Sequence, residues 1–315
     1  MSDPTLLAVL ALSQGAASEA LPPQFVEPTT PPAVSQPQAE RSPQVQPSAQ
    51  SSLPTTQARF EVQPDNAPTA TEFSYTVRPT SGTQLYAQRL AALRSGRLYT
   101  RLPVNSYQAI WRKATRQPTY QQWRQLLTLE ARAVAGGQGN NRLSVMLGDS
   151  LSMWFPSDRL PSNHLWLNQG ISGDTTWGIL QRLNTFANTR PSTIYLMAGV
   201  NDLKMGYTDA QIIGNMQKIL TRLRQMHPQA QIVVQSILPT RTPRIPNARI
   251  TNLNQTLQRL SDRYQATYLD LYSQMVDYDG FMQAGLTTDG LHLNARGYET
   301  WEWQLRQVET VVARR

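Results

Sequence analysis

An α/β fold, with a parallel sheet covered by helices on both faces, is predicted for residues 141–315 by three observations. After Gly139 the chain changes from helical stretches alone to short apolar runs alternating with amphipathic stretches. That alternation favours parallel pairing, because parallel neighbours need a crossover that a helix supplies. Three of four short polar strings then begin within a few residues of a strand's carboxyl end, the side on which such sheets bind ligands.

The first predicted strand covers 143–147, and those at 165–168, 193–198, 232–237 and 267–271 follow. Between the third and fourth, Ile212, Ile213, Met216, Ile219, Leu220 and Leu223 share one face of a helix begun near Asp209. Ile250, Leu253, Leu257, Leu260 and Tyr264 do the same for the next helix. Tyr298, Trp301, Leu305 and Val308 face inward from a last one starting near Ala295.

Residues 81–140 read as a small, basic helical extension without internal repeat. A helix over 83–95 has Thr83 as its cap and Gly96 as its stop. A short one fits 107–115, with Ile110 and Trp111 on one face. A third runs from near Pro118 through Trp123, Leu126, Leu127 and Val134 to Gly136 and Gly137.

Residues 1–80 hold a weakly hydrophobic N-terminus and, from residue 21, a stretch rich in Pro, Gln and Ser. Such a composition buries too little apolar surface to offset chain entropy and predicts a disordered linker. The apolar run from Leu6 to Leu12 is far short of the roughly 20 residues of a membrane span. It follows Asp3, and the first Arg is Arg41, so it is atypical as a secretory signal; cytoplasmic and exported locations both stay open.

The net charge of +8 has a location: residues 81–140 carry 9 Lys or Arg against 1 acid. Residues 1–80 are net −4 and residues 141–315 net +4. No nucleic-acid-binding motif accompanies the basic segment, so a nucleic-acid partner is not expected. Contact with an anionic surface through residues 81–140 stands beside the plainer reading of solvated helix faces. The absence of Cys excludes disulfides, thiolate chemistry and Cys-based zinc sites.

The four strings are G-D-S-L-S at Gly148–Ser152, I-S-G-D-T-T at Ile171–Thr176, G-V-N-D at Gly199–Asp202 and D-G-L-H at Asp289–His292. Each alone is weak; together they supply one hydrolytic site. Ser150, between a strand and a helix, places a hydroxyl beside free helix N–H groups, and it needs a base to become a nucleophile. Of the three His residues, His227 precedes Pro228 at a helix end, where it favours the helix C-terminus. His164 lies in a loop, as a solvent-facing residue or a substrate contact. His292 stands three residues after Asp289, a spacing that lets one carboxylate orient the imidazole and stabilise its charged form. Asp277 and Asp279 are rivals for that carboxylate. Oxyanion donors are the N–H of Ser150, the N–H of Gly173, where a missing side chain permits close approach, and the side-chain amide of Asn201.

In this order the strings resemble the conserved blocks of the GDSL, or SGNH, hydrolases over residues 142–315, and nothing in that pattern matches residues 1–140. The stretch N-Q-G-I-S-G-D-T-T is similar to the branch containing platelet-activating-factor acetylhydrolase subunits. Val200 departs from the second Gly that many members carry before Asn. The resemblance implies a three-layer α/β/α flavodoxin-like fold and hydrolysis of esters or thioesters without metal or cofactor. It also implies a triad of Ser150, Asp289 and His292, with Ser150, Gly173 and Asn201 forming the oxyanion hole. The expected function is an acetyl- or short-acyl esterase working through an acyl-enzyme on a small-molecule or polymer ester, carbohydrate or lipid. The rival is a non-catalytic protein binding an anionic polymer through the basic segment. Trp154, Phe155, Met205, Tyr207, Phe281 and Met282 near the site would line an acyl pocket, stack on a sugar, or serve as lid or core. Oligomeric state is not legible in the sequence.

Overall fold

In the computed structural model, residues 77–312 are described; the predicted linker and N-terminal apolar run lie outside them. Five parallel strands form one sheet in the order β2-β1-β3-β4-β5. They are β1 (Leu143–Gly148), β2 (Leu165–Gly170), β3 (Thr193–Met197), β4 (Gln231–Gln235) and β5 (Thr267–Leu269). The helices, in chain order, are α1 (Gly82–Arg94), α2 (Gln108–Trp111), α3 (Tyr120–Gly137), α4 (Ser150–Met153), α5 (Thr176–Gln181) and α6 (Val200–Lys204). They continue with α7 (Asp209–Met226), α8 (Asn247–Arg263), α9 (Tyr272–Met275) and α10 (Ala295–Val312).

Alternation along the strands sorts the core into two layers. Val145, Leu147, Ile194, Leu196, Ile232 and Val234 pack with apolar residues of α3, α5, α7 and α8. Met146, Trp166, Tyr195, Met197 and Val233 pack with α4, α9 and α10, where Tyr298, Trp301 and Leu305 face inward. The result is the three-layer flavodoxin-like arrangement. Among the described residues no helix is long and apolar enough to cross a membrane.

The basic extension packs along the open side of β2, an edge strand. Arg89 is fully buried, its guanidinium bidentate to Glu130 at 3.0 and 2.5 Å and donating to the Asn168 carbonyl at 2.8 Å. Thr100 Oγ1 donates to the Trp166 carbonyl at 2.7 Å. Leu85, Leu93, Trp123, Leu126 and Leu127 form a cluster with Met153 and Ile171. Part of the segment's charge is therefore structural rather than presented to solvent.

Several local expectations change. Ser81, not Thr83, caps α1, its hydroxyl accepting from Gln84 N. The helix expected over 107–115 shrinks to the four residues of α2, and its Ile110 is exposed while Trp111 is buried. Tyr107, which precedes it, is left-handed (φ 60°), so the helix cannot extend backwards through it. Phe155 and Met282 belong to the core, whereas Met205 and Phe281 are exposed.

Candidate active site

The register of the sheet sets the site. Gly148 is paired with Gly170 on one side and with Met197 on the other, so β2, β1 and β3 end level. Ser150, Gly173 and Asn201 follow those ends directly and converge on one edge. Close packing there requires a glycine at 170: a Cβ would come within 2.3 Å of Met153 N in α4.

Ser150 is the first residue of α4, with Asp149 at the cap accepting from Leu151 N at 3.0 Å. Its Oγ lies 3.2 Å from His292 Nε2, and His292 Nδ1 lies 2.7 Å from Asp289 Oδ2. With Nδ1–H donating to Asp289, Nε2 is the acceptor for the serine hydroxyl. Asp289 Oδ1 also accepts from the N–H groups of Leu291 and His292, at 3.0 and 2.7 Å. Burial pushes the Asp289 pKa up, but the His292 side-chain bond and these backbone bonds outweigh it and hold the carboxyl at about 2. The rival Asp277 pairs with Arg241 at 2.9 Å and accepts from Phe281 N. The helix after the histidine is tied to the one after the serine, as Tyr298 Oη donates to the Leu151 carbonyl at 3.1 Å.

Gly173 occupies a tight turn closed by Asp174 N donating to the Ile171 carbonyl at 3.2 Å. Its φ of +80° favours glycine, and a Cβ there would meet no protein atom within 4 Å. Its N–H has no acceptor among the described residues. Asn201 is buried, and its Nδ2 donates to the Asp174 carbonyl at 3.0 Å, with a longer 3.4 Å contact to Asp149 Oδ2.

Behind these donors lies a buried polar frame that the sequence strings did not reveal. Arg182 is 1 % exposed; its Nε donates to Asp174 Oδ2 at 2.6 Å, Nη1 to the Gln169 carbonyl at 2.7 Å and Nη2 to the Gly148 carbonyl at 2.9 Å. One guanidinium thus joins the Gly173 turn to the ends of β1 and β2. Asp202 accepts from Thr176 N at 2.9 Å and Thr176 Oγ1 at 2.5 Å, joining the second string to the third. Tyr120 at the start of α3 reaches Asp174 Oδ1 at 3.2 Å. Asp149 is pushed up to about 7: burial raises it, the Leu151 N–H only partly offsets that, and Asp174 and Asp202 repel its charge.

The other two histidines do not join the site. His227 is buried and stacks on Phe186 at 5.3 Å between ring centroids. Burial lowers its pKa to about 4, so it is neutral at pH 7 and does not favour the helix end through charge. His164 is buried too rather than solvent-facing, and lies 3.6 Å from Glu309 in a cluster with Trp166. Among the described residues no group of three or more His, Asp or Glu is arranged to hold a metal ion.

Comparison with known proteins identifies the family and the fold. The GDSL-like Lipase/Acylhydrolase family model matches residues 133–300. Platelet-activating factor acetylhydrolase IB subunit alpha1 from Bos taurus is 30% identical over 185 residues, covering 55% of this chain and 77% of that protein. The Homo sapiens subunit is 29% identical over 183 residues, with the same coverage. A solved structure from Streptococcus pneumonia, provisionally described as a platelet activating factor, shares the fold, with a TM-score of 0.55 and 23% identity over 60% of this chain and 93% of that one. With four strings converging on one sheet edge and a family model covering more than half its length, the chain belongs to the GDSL-like lipase/acylhydrolase family and is a hydrolase acting on ester bonds.

Proposed function

We propose that the protein is a serine esterase that cleaves acetyl or short-acyl esters of a carbohydrate or lipid through an acyl-enzyme. The observation that carries this reading is the run of contacts from Ser150 Oγ through His292 to Asp289, at 3.2 and 2.7 Å. His292 Nε2 takes the hydroxyl proton as Ser150 attacks the ester carbonyl, and then gives it to the leaving alcohol. Asp289, ionised at neutral pH, holds the ring in the tautomer that makes this possible. Negative charge on the carbonyl oxygen is met by the N–H groups of Ser150 and Gly173 and by the Asn201 amide. Water, deprotonated by the same His292, then releases the acid.

The test is hydrolysis of p-nitrophenyl acetate, butyrate and a longer acyl ester by wild type and Ser150→Ala. Turnover that falls by about 10⁴-fold or more in the variant is the expected result. Equal turnover in both proteins would exclude Ser150 as nucleophile.

A further inference from the structure

A second feature lies beside the oxyanion turn. α5 and α7 flank an open groove of about 410 Å³, lined by Trp177, Tyr207, Gln211, Gly214, Asn215 and Lys218. Trp177 is 49 % exposed, and it immediately follows Thr176, whose hydroxyl is bound to Asp202. Asn215 is buried beneath the groove; its Nδ2 donates to Thr176 Oγ1 at 3.0 Å, and its amide oxygen has no donor among the described residues. Lys218 is the charged residue of the lining and forms no ion pair among the described residues.

Gly214 is an independent pointer. It sits inside the 18-residue helix α7, where glycine costs about 1 kcal/mol relative to alanine. Its backbone is ordinary, and a Cβ there would meet nothing within 4 Å, so neither strain nor packing calls for glycine. Its bare Cα forms part of the groove lining together with Trp177.

We propose that this groove is a subsite for a sugar unit carrying negative charge, in the part of the substrate beyond the scissile ester; its role as a substrate subsite rests on the esterase reading. An exposed indole face beside amide side chains suits a pyranose, which stacks through its C–H face and hydrogen-bonds through its rim. Lys218 supplies the complement for a carboxylate. Trp177 lies four positions after Gly173, a Cα span of at most about 14 Å, within reach of one short oligosaccharide.

The experiment measures binding of tetragalacturonate, and of its carboxyl-reduced counterpart, to the full chain carrying Ser150→Ala, by titration calorimetry and tryptophan quenching. Tetragalacturonate binds at millimolar concentration or below, and the reduced sugar binds at least several-fold more weakly. Trp177→Ala and Gly214→Phe each weaken binding about ten-fold or more. Lys218→Gln removes the preference for the charged sugar. Trp303→Ala, which removes an exposed Trp in α10, leaves binding unchanged. Gly214→Ala raises the thermal midpoint while weakening binding, which separates occupancy of the groove from loss of fold. Absence of saccharide binding, binding indifferent to Trp177 and Gly214, equal binding of both sugars, or quenching by lysophosphatidylcholine micelles in place of both sugars would overturn the proposal. Wild-type turnover of p-nitrophenyl acetate decides the esterase reading separately, whichever way the binding falls.

Discussion

The two halves of the site are built in opposite ways. The Asp289–His292 pair sits on a loop with its side chains 54 % and 40 % exposed, and the bonds from the His292 ring and backbone to Asp289 span only three residues. In the proposed oxyanion wall Ser150 and Asn201 are buried, Gly173 is exposed, and the surrounding frame is held by contacts that cross the fold: Arg182 to Gly148, Thr176 to Asp202, and Asn201 to Asp174. The difference follows the work. In the proposed mechanism the base gives a proton to the leaving alcohol and then takes one from water, so it has to meet solvent. Donors to a developing oxyanion gain most when they are fixed beforehand and shielded from water.

Four substitutions break or sharpen that contrast, in order of their effect on turnover. His292→Ala is expected to lower kcat for p-nitrophenyl acetate by about 10⁴-fold or more, with little change in thermal midpoint because the side chain is part-exposed. Steady-state kinetics paired with a melting curve separates the two effects. Asn201→Ala, on the wall, is expected to cost roughly 10²- to 10³-fold in kcat with KM little altered; an unchanged kcat would remove Asn201 from the oxyanion hole. Arg182→Lys keeps the charge but loses the three-way fork. It is expected to lower kcat about ten-fold and to destabilise the fold by about 2–3 kcal/mol in urea unfolding, because buried partners are left unpaired. A kcat loss without a stability loss would place Arg182 outside this frame.

The fourth effect concerns pH and stability rather than turnover. Asp149 has a folded-state pKa raised to about 7. An acid raised in this way contributes stability that is fully present below its unfolded value, about 3.9, and is lost as pH rises through about 7. Asp149→Asn is expected to flatten the pH dependence of the urea midpoint across that window. The change amounts to no more than about 4 kcal/mol at full ionisation.

The parts of this fold legible in the sequence are those whose signal is local. The five strands are compact apolar runs, and α7, α8 and α10 carry clean helical faces, so burial and periodicity coincide. Asp289 and His292 are three residues apart and touch through local geometry alone. Arg182 was invisible for the converse reason: its partners lie 8, 13 and 34 residues away, and from its neighbours it reads as an ordinary solvated arginine. His164 misled in the same way, since only tertiary packing decides that a polar residue in a loop is buried, whereas His227 does cap the end of α7 as its place before Pro228 suggested. Ile110 turned outward because α2 ends after one turn, too short for a face to be defined.

The bonds from Arg89 and Thr100 to β2 bear on how this protein can be dissected. The matched family segment begins at residue 133, and an expression fragment cut there would discard α1, most of α3 and the cover over a strand edge. The Trp166 and Asn168 carbonyls would then face solvent in register, a template for a second chain to pair with. Such a fragment is expected to come off a sizing column as oligomers or to precipitate. The shortest well-behaved piece is expected to begin before Ser81, because residues outside the matched family segment are the ones that cover this strand edge.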